Sequence, residues 1–253
     1  MTDQDHRSDR PSYRRPPVTE AVLALHFSAP IEFRFLDTYA NKRKSQFPRI
    51  EDIIETTAAI KIGTANSVTS VRKIGKKLTN QYNNRIILAN ERQLSISHLA
   101  PYTNWEALID DIRAEWSILS RHVSLSRITK LSTRYINRID IPAPVGSVID
   151  MTQYFLIGLT LPSLTSHNFV STFYINCNLQ DRDNIVSYTI NMSGVNPPPL
   201  IDHISVILDI DCATVDNTPL RDDRVWELAW DLRDRKNAMF ESCITDATRA
   251  LFR

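Results

Sequence analysis

The chain has 253 residues, enough for one large domain or two small units that share a core. Hydrophobic residues make up 42%, which excludes wholesale disorder and supports a packed interior. Thirty basic side chains stand against 29 acidic ones, a formal net charge of +1, so no global field exists to hold a polyanion and any nucleic-acid contact must come from a local patch.

Residues 1–15 are polar and basic and read as a flexible tail, ended by Pro16 and Pro17. This leader lacks the apolar stretch of a secretory signal, and no window approaches the roughly 18 uninterrupted apolar residues of a spanning helix. The expectation is a cytoplasmic protein without membrane association. Val18 to Ser28 then reads as a mostly buried strand through Val18, Val22, Leu23, Ala24 and Leu25. Ile31 to Phe47 has Phe33, Leu36, Ala40 and Phe47 near helical spacing, with Lys42, Arg43 and Lys44 on the wet side, and Pro48 closes it.

Four β-branched segments follow, Ile53 to Ile62, Val68 to Leu78, Arg85 to Asn90 and Gln93 to Leu99. In the last, Leu94 and Ile96 alternate with Ser95 and Ser97, the mark of a half-buried strand, and Asn83-Asn84 and Asn90-Glu91-Arg92 read as tight turns. Asn104 then caps a helix to about His122 whose apolar stripe is Trp105, Leu108, Ile109, Ile112, Trp116 and Leu119. The pattern restarts with a long strand, Ile128 to Ile141, a short helix, Met151 to Leu159, and strands Phe169 to Leu179, Ile185 to Met192 and Ile204 to Cys212. Asp181 to Asn184 is a turn, Asp222 or Asp223 caps a helix to about Ser242, and Thr245 caps a last short helical piece.

The order is therefore strand, helix, several strands, helix, twice over. The two closing helices begin alike, Asn104-Trp105-Glu106 and Val225-Trp226-Glu227. The expected fold is α+β: two similar halves, 16–124 and 125–253, sharing one core. Each half is strand, helix, three or more strands, helix, with one crossover connection, in a mainly antiparallel sheet (one large curved sheet or two facing ones) with helices on one face.

Several stretches together carry a family resemblance: Arg15-Pro-Pro-Val-Thr-Glu-Ala-Val, Leu99-Ala-Pro-Tyr-Thr-Asn-Trp-Glu, Thr133-Arg-Tyr-Ile-Asn-Arg-Ile-Asp, Val206-Ile-Leu-Asp-Ile-Asp, and Leu232-Arg-Asp-Arg-Lys-Asn-Ala-Met-Phe-Glu-Ser-Cys-Ile-Thr-Asp. In this order the chain resembles a sporadically distributed prokaryotic family of unknown function that carries only a serial number. The resemblance implies no activity, cofactor or catalytic residue. A sporadic distribution implies horizontal transfer and a place in mobile or defence-associated gene systems of bacteria.

Common catalytic plans find little support. The five glycines, Gly63, Gly75, Gly146, Gly158 and Gly194, are too scattered for a phosphate-cradling loop, which needs close backbone approach. Cys177, Cys212 and Cys243 lack metal or redox spacing, suit a reducing compartment and lie in apolar patterns, as buried structural thiols do. His26, His98, His122, His167 and His203 form no H-E-x-x-H pattern. No cofactor is expected.

Three polar or aromatic constellations remain. Strand alternation puts Asp209 and Asp211 on one side of their strand and Arg134, Arg138 and Asp140 together on theirs. Such carboxylates can hold a divalent metal and such arginines can clamp phosphate, the basis for a metal-dependent phosphoryl hydrolase; salt bridging on a solvated sheet face is the favoured alternative. Arg72, Lys73, Lys76 and Lys77 around Gly75 make a basic hairpin that can touch nucleic acid, against the plainer role of lysines protecting a strand edge. Trp226 and Trp230, at i and i+4 beside the stripe Val225, Leu228, Leu232, Met239, Phe240, Cys243 and Ile244, belong to the core or anchor a protein partner or second copy. The favoured function is a binding or interaction module of unknown ligand, leaning away from an enzyme.

Overall fold

The computed structural model describes residues 13–60, 67–122, 128–144, 147, 149–158, 172–183, 185–195, 198–215 and 222–253. Residues 1–12 of the expected tail, Gly63, Gly146 and His167 lie outside them. The described elements are β1 (Val18–Phe27), α1 (Phe33–Arg43), β2 (Arg49–Ile60), β3 (Ser67–Thr79), β4 (Arg85–Asn90), β5 (Gln93–Leu99), α2 (Trp105–Leu119), β6 (Ile128–Pro142), β7 (Tyr174–Gln180), β8 (Val186–Val195), β9 (His203–Thr214), α3 (Asp222–Cys243) and α4 (Asp246–Ala250). The strands form one nine-stranded sheet in the order β2-β3-β4-β5-β1-β6-β9-β8-β7, antiparallel at every pairing.

Local chemistry sets the boundaries. Asn104 Oδ1 accepts from the Ala107 N–H at 2.8 Å and so caps α2, while Thr245 Oγ1 accepts from Thr248 N–H to cap α4. The β4–β5 hairpin turns at Glu91 and Arg92, with the Arg92 N–H donating to Asn90 Oδ1 at 2.9 Å. Asn83 takes φ 59°, the left-handed turn conformation that asparagine tolerates. Asp181 Oδ1 accepts from both Ile185 and Val186 N–H and closes the β7–β8 turn. The expected Met151–Leu159 helix is only a single 3₁₀ turn, Met151–Gln153, held by Asp150; Phe155 then pairs as a lone bridge with Ile244.

Reading outward from the centre, each half places its first strand at the seam (β1 against β6), its last strand beside that, and the remaining strands toward the edge. Among the described residues the halves differ in strand number, five against four. With five antiparallel strands, β2 must run the same way as β1, so α1 carries the chain back along the sheet as the expected crossover. With four, β7 runs opposite to β6 and so begins at the end of the sheet where β6 stops. Among the described residues the strand directions therefore require no second crossover.

Alternation sorts the two faces. Leu23, Leu25, Leu94, Ile96, Ile87, Leu78, Leu131, Ile139, Val206, Leu208, Ile210 and Ile190 line one face, and α1, α2 and α3 pack there. The stripe Leu36, Tyr39 and Ala40 of α1 and Leu108, Ile109 and Ile112 of α2 close the core over β1, β4 and β5. The opposite face carries Glu20, Ser95, Ser97, Arg134, Arg138, Asp140, Ser205, Asp209 and Asp211. Among the described residues no helix is long and apolar enough to cross a membrane.

Gly75 sits opposite the register shift between Ile53 and Ile54, where a Cβ would meet Ala89 O at 2.6 Å and Asn90 Cβ at 2.7 Å. Gly75→Ala is expected to lower stability by about 1–3 kcal/mol, because backbone as well as side chain blocks the added methyl. Urea denaturation checks this; an unchanged midpoint would show that the bulge opens freely.

Candidate functional site

The three expected constellations are intact as sets of residues but are engaged internally. On the open sheet face Arg134 makes a two-pronged pair with Asp209, Nε to Oδ1 at 2.8 Å and Nη2 to Oδ2 at 2.6 Å. Asp209 is 5% exposed and also accepts from Asn191 Nδ2 at 3.2 Å. Arg138 Nε donates to Asp140 Oδ2 at 3.1 Å, and Ser205 Oγ donates to Asp140 Oδ1 at 2.5 Å. Asp140 pairs in register with Ser205 and Asp209 with Ile136, so Asp140 lies four ladder positions, roughly 13 Å, from Asp209. The three aspartates therefore do not converge. Burial and the neighbouring Asp209 push the Asp211 carboxyl up, Arg134 opposes this, and Asp211 Oδ1 has no hydrogen-bond partner among the described residues. No cluster of three or more metal-ligating side chains occurs among the described residues.

The basic hairpin is charge-compensated. Arg72 bridges Glu55 and Glu91, Lys73 meets Asp52 at 2.6 Å, Lys76 meets Asp37 and Asp52, and Lys77 meets Glu51 at 3.3 Å. Four cations thus face five carboxylates, and Lys76 is buried under α1, over the Phe33 ring. Trp226 and Trp230 are partly buried against the core. Trp230 meets Trp105 edge to face at 5.9 Å, and the Arg113 guanidinium lies 4.9 Å above Trp226, so both tryptophans join α3 to α2. The three cysteines are free thiols, and burial pushes Cys212 up to about 12 and Cys243 up to about 11.

A different group of residues meets around a cavity of about 490 Å³ on the helix-bearing face, between the start of α2, the middle of α3, β6 and the segment that enters β1. Residues 13–15, the end of the expected tail, adjoin it: Tyr13 OH donates to Glu241 Oε1 at 2.8 Å and the Arg15 N–H to Phe252 O at 3.1 Å. The Tyr102 and Tyr135 hydroxyls are hydrogen-bonded at 2.8 Å. Burial pushes Tyr102 up to about 12 and Tyr135 well above the ordinary phenol range. Asn137 Nδ2 donates to Leu208 O at 3.0 Å, which ties this wall to β9. Trp105 is 2% exposed, and its indole N–H is buried with no acceptor among the described residues.

Lys236 is the unusual member. It is 5% exposed, its Nζ donates to Asn237 Oδ1 at 2.6 Å, and it stands 3.3 Å from the centroid of the Tyr135 ring. Among the described residues no carboxylate pairs with it; Arg233 takes Asp234 at 3.1 Å, and Glu241 is taken by Tyr13 and Arg249. Desolvation, with the adjacent Arg233 charge adding to it, lowers the Lys236 pKa to about 7. Cys212, Glu241 and Asp234 pull weakly the other way.

The lining is supplied by Tyr13 and four stretches far apart in the chain: Pro16 to Val18, Tyr102 to Glu106, Tyr135 and Asn137, and Arg233 to Glu241. No family model matches the chain, and no curated protein is significantly similar to it.

The cavity was missed in the sequence because its signal is a residue out of place. Val225, Ala229, Leu232, Phe240 and Cys243 are buried at helical spacing along α3, and Lys236 occupies the remaining position of that stripe. A lysine at an apolar position of a helix is the detectable mark, since lysines are almost never fully buried unless paired.

Proposed function

We propose that the protein is a binding module that receives a small molecule in the cavity between α2 and α3. The observation that carries this is a buried lysine without a carboxylate partner among the described residues, at the wall of a space large enough for a small organic ligand. A stability-only role gives no reason to keep an ammonium in the core, where an apolar residue of similar volume is commonly better tolerated. The Trp105 N–H and the Tyr102–Tyr135 pair add polar groups that can orient a guest.

The rival readings have weaker support. A metal-dependent hydrolase would draw on Asp140, Asp209 and Asp211, of which Asp140 and Asp209 lie far apart and are each bonded to an arginine, with no third metal-ligating side chain beside Asp211 among the described residues. A nucleic-acid contact would draw on a hairpin whose cations already meet carboxylates. A protein partner at Trp226 and Trp230 would have to displace helix packing. A bacterial origin and a mobile or defence-associated setting rest on the resemblance alone, and the three free thiols favour a reducing, cytoplasmic compartment. The matched strand order of the halves supports descent from one duplicated unit.

The test is native mass spectrometry of the purified protein, followed by a thermal-shift screen of small metabolites against the wild type and Ala238→Trp, which fills the mouth of the cavity from an exposed position on α3. A retained or stabilising compound that the variant no longer binds supports the reading. Ligands that bind both proteins equally would place binding elsewhere.

A further inference from the structure

We propose that Lys236 is a nucleophilic amine that captures a small aldehyde or ketone in this cavity as an imine. This deepens the cavity reading and rests on it. Nucleophilic lysines are made by removing water and placing a second cation nearby, since both favour the uncharged amine. Both conditions hold here: Lys236 is buried on an apolar helix stripe, and Arg233 is its charged neighbour. The other groups facing it are the paired phenols Tyr135 and Tyr102, the Cys212 thiol beneath, Asp234 and Glu241 on α3, and Glu106 across the cavity on α2. The carboxylates of Asp234 and Glu241 already have cationic partners. Lys76, the other lysine buried among the described residues, is by contrast clamped by Asp37 and Asp52 and so held as an ammonium.

The chemistry balances without a further reagent. The Nζ lone pair attacks the carbonyl carbon, a C–N bond forms, and the carbonyl electron pair moves to oxygen, which takes a proton. The nitrogen sheds a proton, the hydroxyl leaves as water, and the C=N bond closes. The net change is amine plus carbonyl to imine plus water. The hydroxyl of Tyr135, the ring against which Nζ rests, and the Tyr102 hydroxyl bonded to it are the polar groups suited to pass these protons.

The experiment treats the full chain at pH 7.5 with pyruvate or propanal and sodium cyanoborohydride, which reduces the imine to a stable secondary amine. Intact-mass measurement and peptide mapping then locate the adduct. The chain has eight lysines. An ordinary lysine is neutral only about one part in a thousand near this pH, whereas one with a pKa near 7 is mostly neutral, so a preference for Lys236 on the order of 100-fold is expected. Capture should saturate with probe, rise with pH to a plateau above about 8, and vanish from the map in Lys236→Met. Preference for pyruvate over propanal would identify an anionic carbonyl as the guest, and the reverse a neutral one. Adducts spread over exposed lysines without preference for Lys236 would overturn the imine. If Ala238→Trp still abolishes binding of a retained ligand in that case, the cavity reading survives alone. Equal labelling of Lys236 in wild type and Ala238→Trp would sink both.

Discussion

Lys236→Met is expected to raise the thermal unfolding midpoint at pH 7, and the gain is expected to shrink to nothing as pH approaches 10.5. The unfolded chain keeps the lysine proton up to about pH 10.5, whereas the native chain, with its amine buried, keeps it only to about 7. Between these values the unfolded state binds more protons, so wild-type stability rises with pH; below 7 both states are charged and the full cost of burial is present. A tenfold change in proton affinity is worth about 1.4 kcal/mol. Replacing a buried ion by an apolar side chain of similar volume commonly recovers about 1–4 kcal/mol. Methionine fits the space, so a gain of about 2 kcal/mol at pH 7, roughly 4–8 °C in a chain of this length, is the expected result. Above pH 10 both proteins should lose stability together, because burial keeps Tyr39 and Tyr135 protonated in the native state while the unfolded phenols ionise. Differential scanning calorimetry of both proteins from pH 6.5 to 11 measures the difference. A variant that is destabilised equally at every pH would show that the contact of the ammonium with the Tyr135 ring outweighs its desolvation.

Glu115→Ala is expected to be among the most damaging single changes, at about 3 kcal/mol, because it removes the buried carboxylate partner of a half-buried cation. Glu115 is 3% exposed on α2. It accepts from Tyr39 OH at 2.8 Å and pairs with the Arg43 guanidinium, joining α1 to α2. Burial pushes the Glu115 carboxyl up, and the Tyr39 and Arg43 contacts oppose that push. Arg43 Nε is already buried without an acceptor among the described residues, so little else can take the charge. Tyr39→Phe should cost less, about 1.5–3 kcal/mol, the net value of one hydrogen bond to a charged acceptor. The double variant should lose less than the sum, since the hydroxyl has nothing left to bind. Urea unfolding of the three variants tests this. Strict additivity would mean that Tyr39 and Glu115 do not act as one unit.

Much of the fold was legible because secondary structure is written in side-chain period. Arg85–Asn90 and Gln93–Leu99 have the predicted ends, since turn-forming asparagines and a clean alternation bound them. Asn104 caps α2 as expected, because its side chain has an N–H three residues on to accept from. Met151–Leu159 was read as a helix and makes only a 3₁₀ turn, because Phe155 is drawn into a bridge with Ile244 and short apolar runs are settled by such tertiary partners. Alternation likewise placed Arg134, Arg138 and Asp140 together and Asp209 and Asp211 together, as found. It could not show that Arg134 would reach diagonally to Asp209 or that Lys73, Lys76 and Lys77 would each find an acid, because cross-strand register follows from pairing over long separations.

The cavity belongs wholly to that second class. Its walls come from positions 13–18, 102–106, 135–137 and 233–241, which no local period connects. The order of residues alone determined where strands and helices run, which side of each is apolar, and that a lysine stands on the oily stripe of the last long helix. Only the tertiary structure decided that this lysine would rest on the Tyr135 ring, paired with no described carboxylate. The reason is that burial and proximity, which set the proton affinity and reactivity of an amine, are properties of the packed chain and not of any one segment.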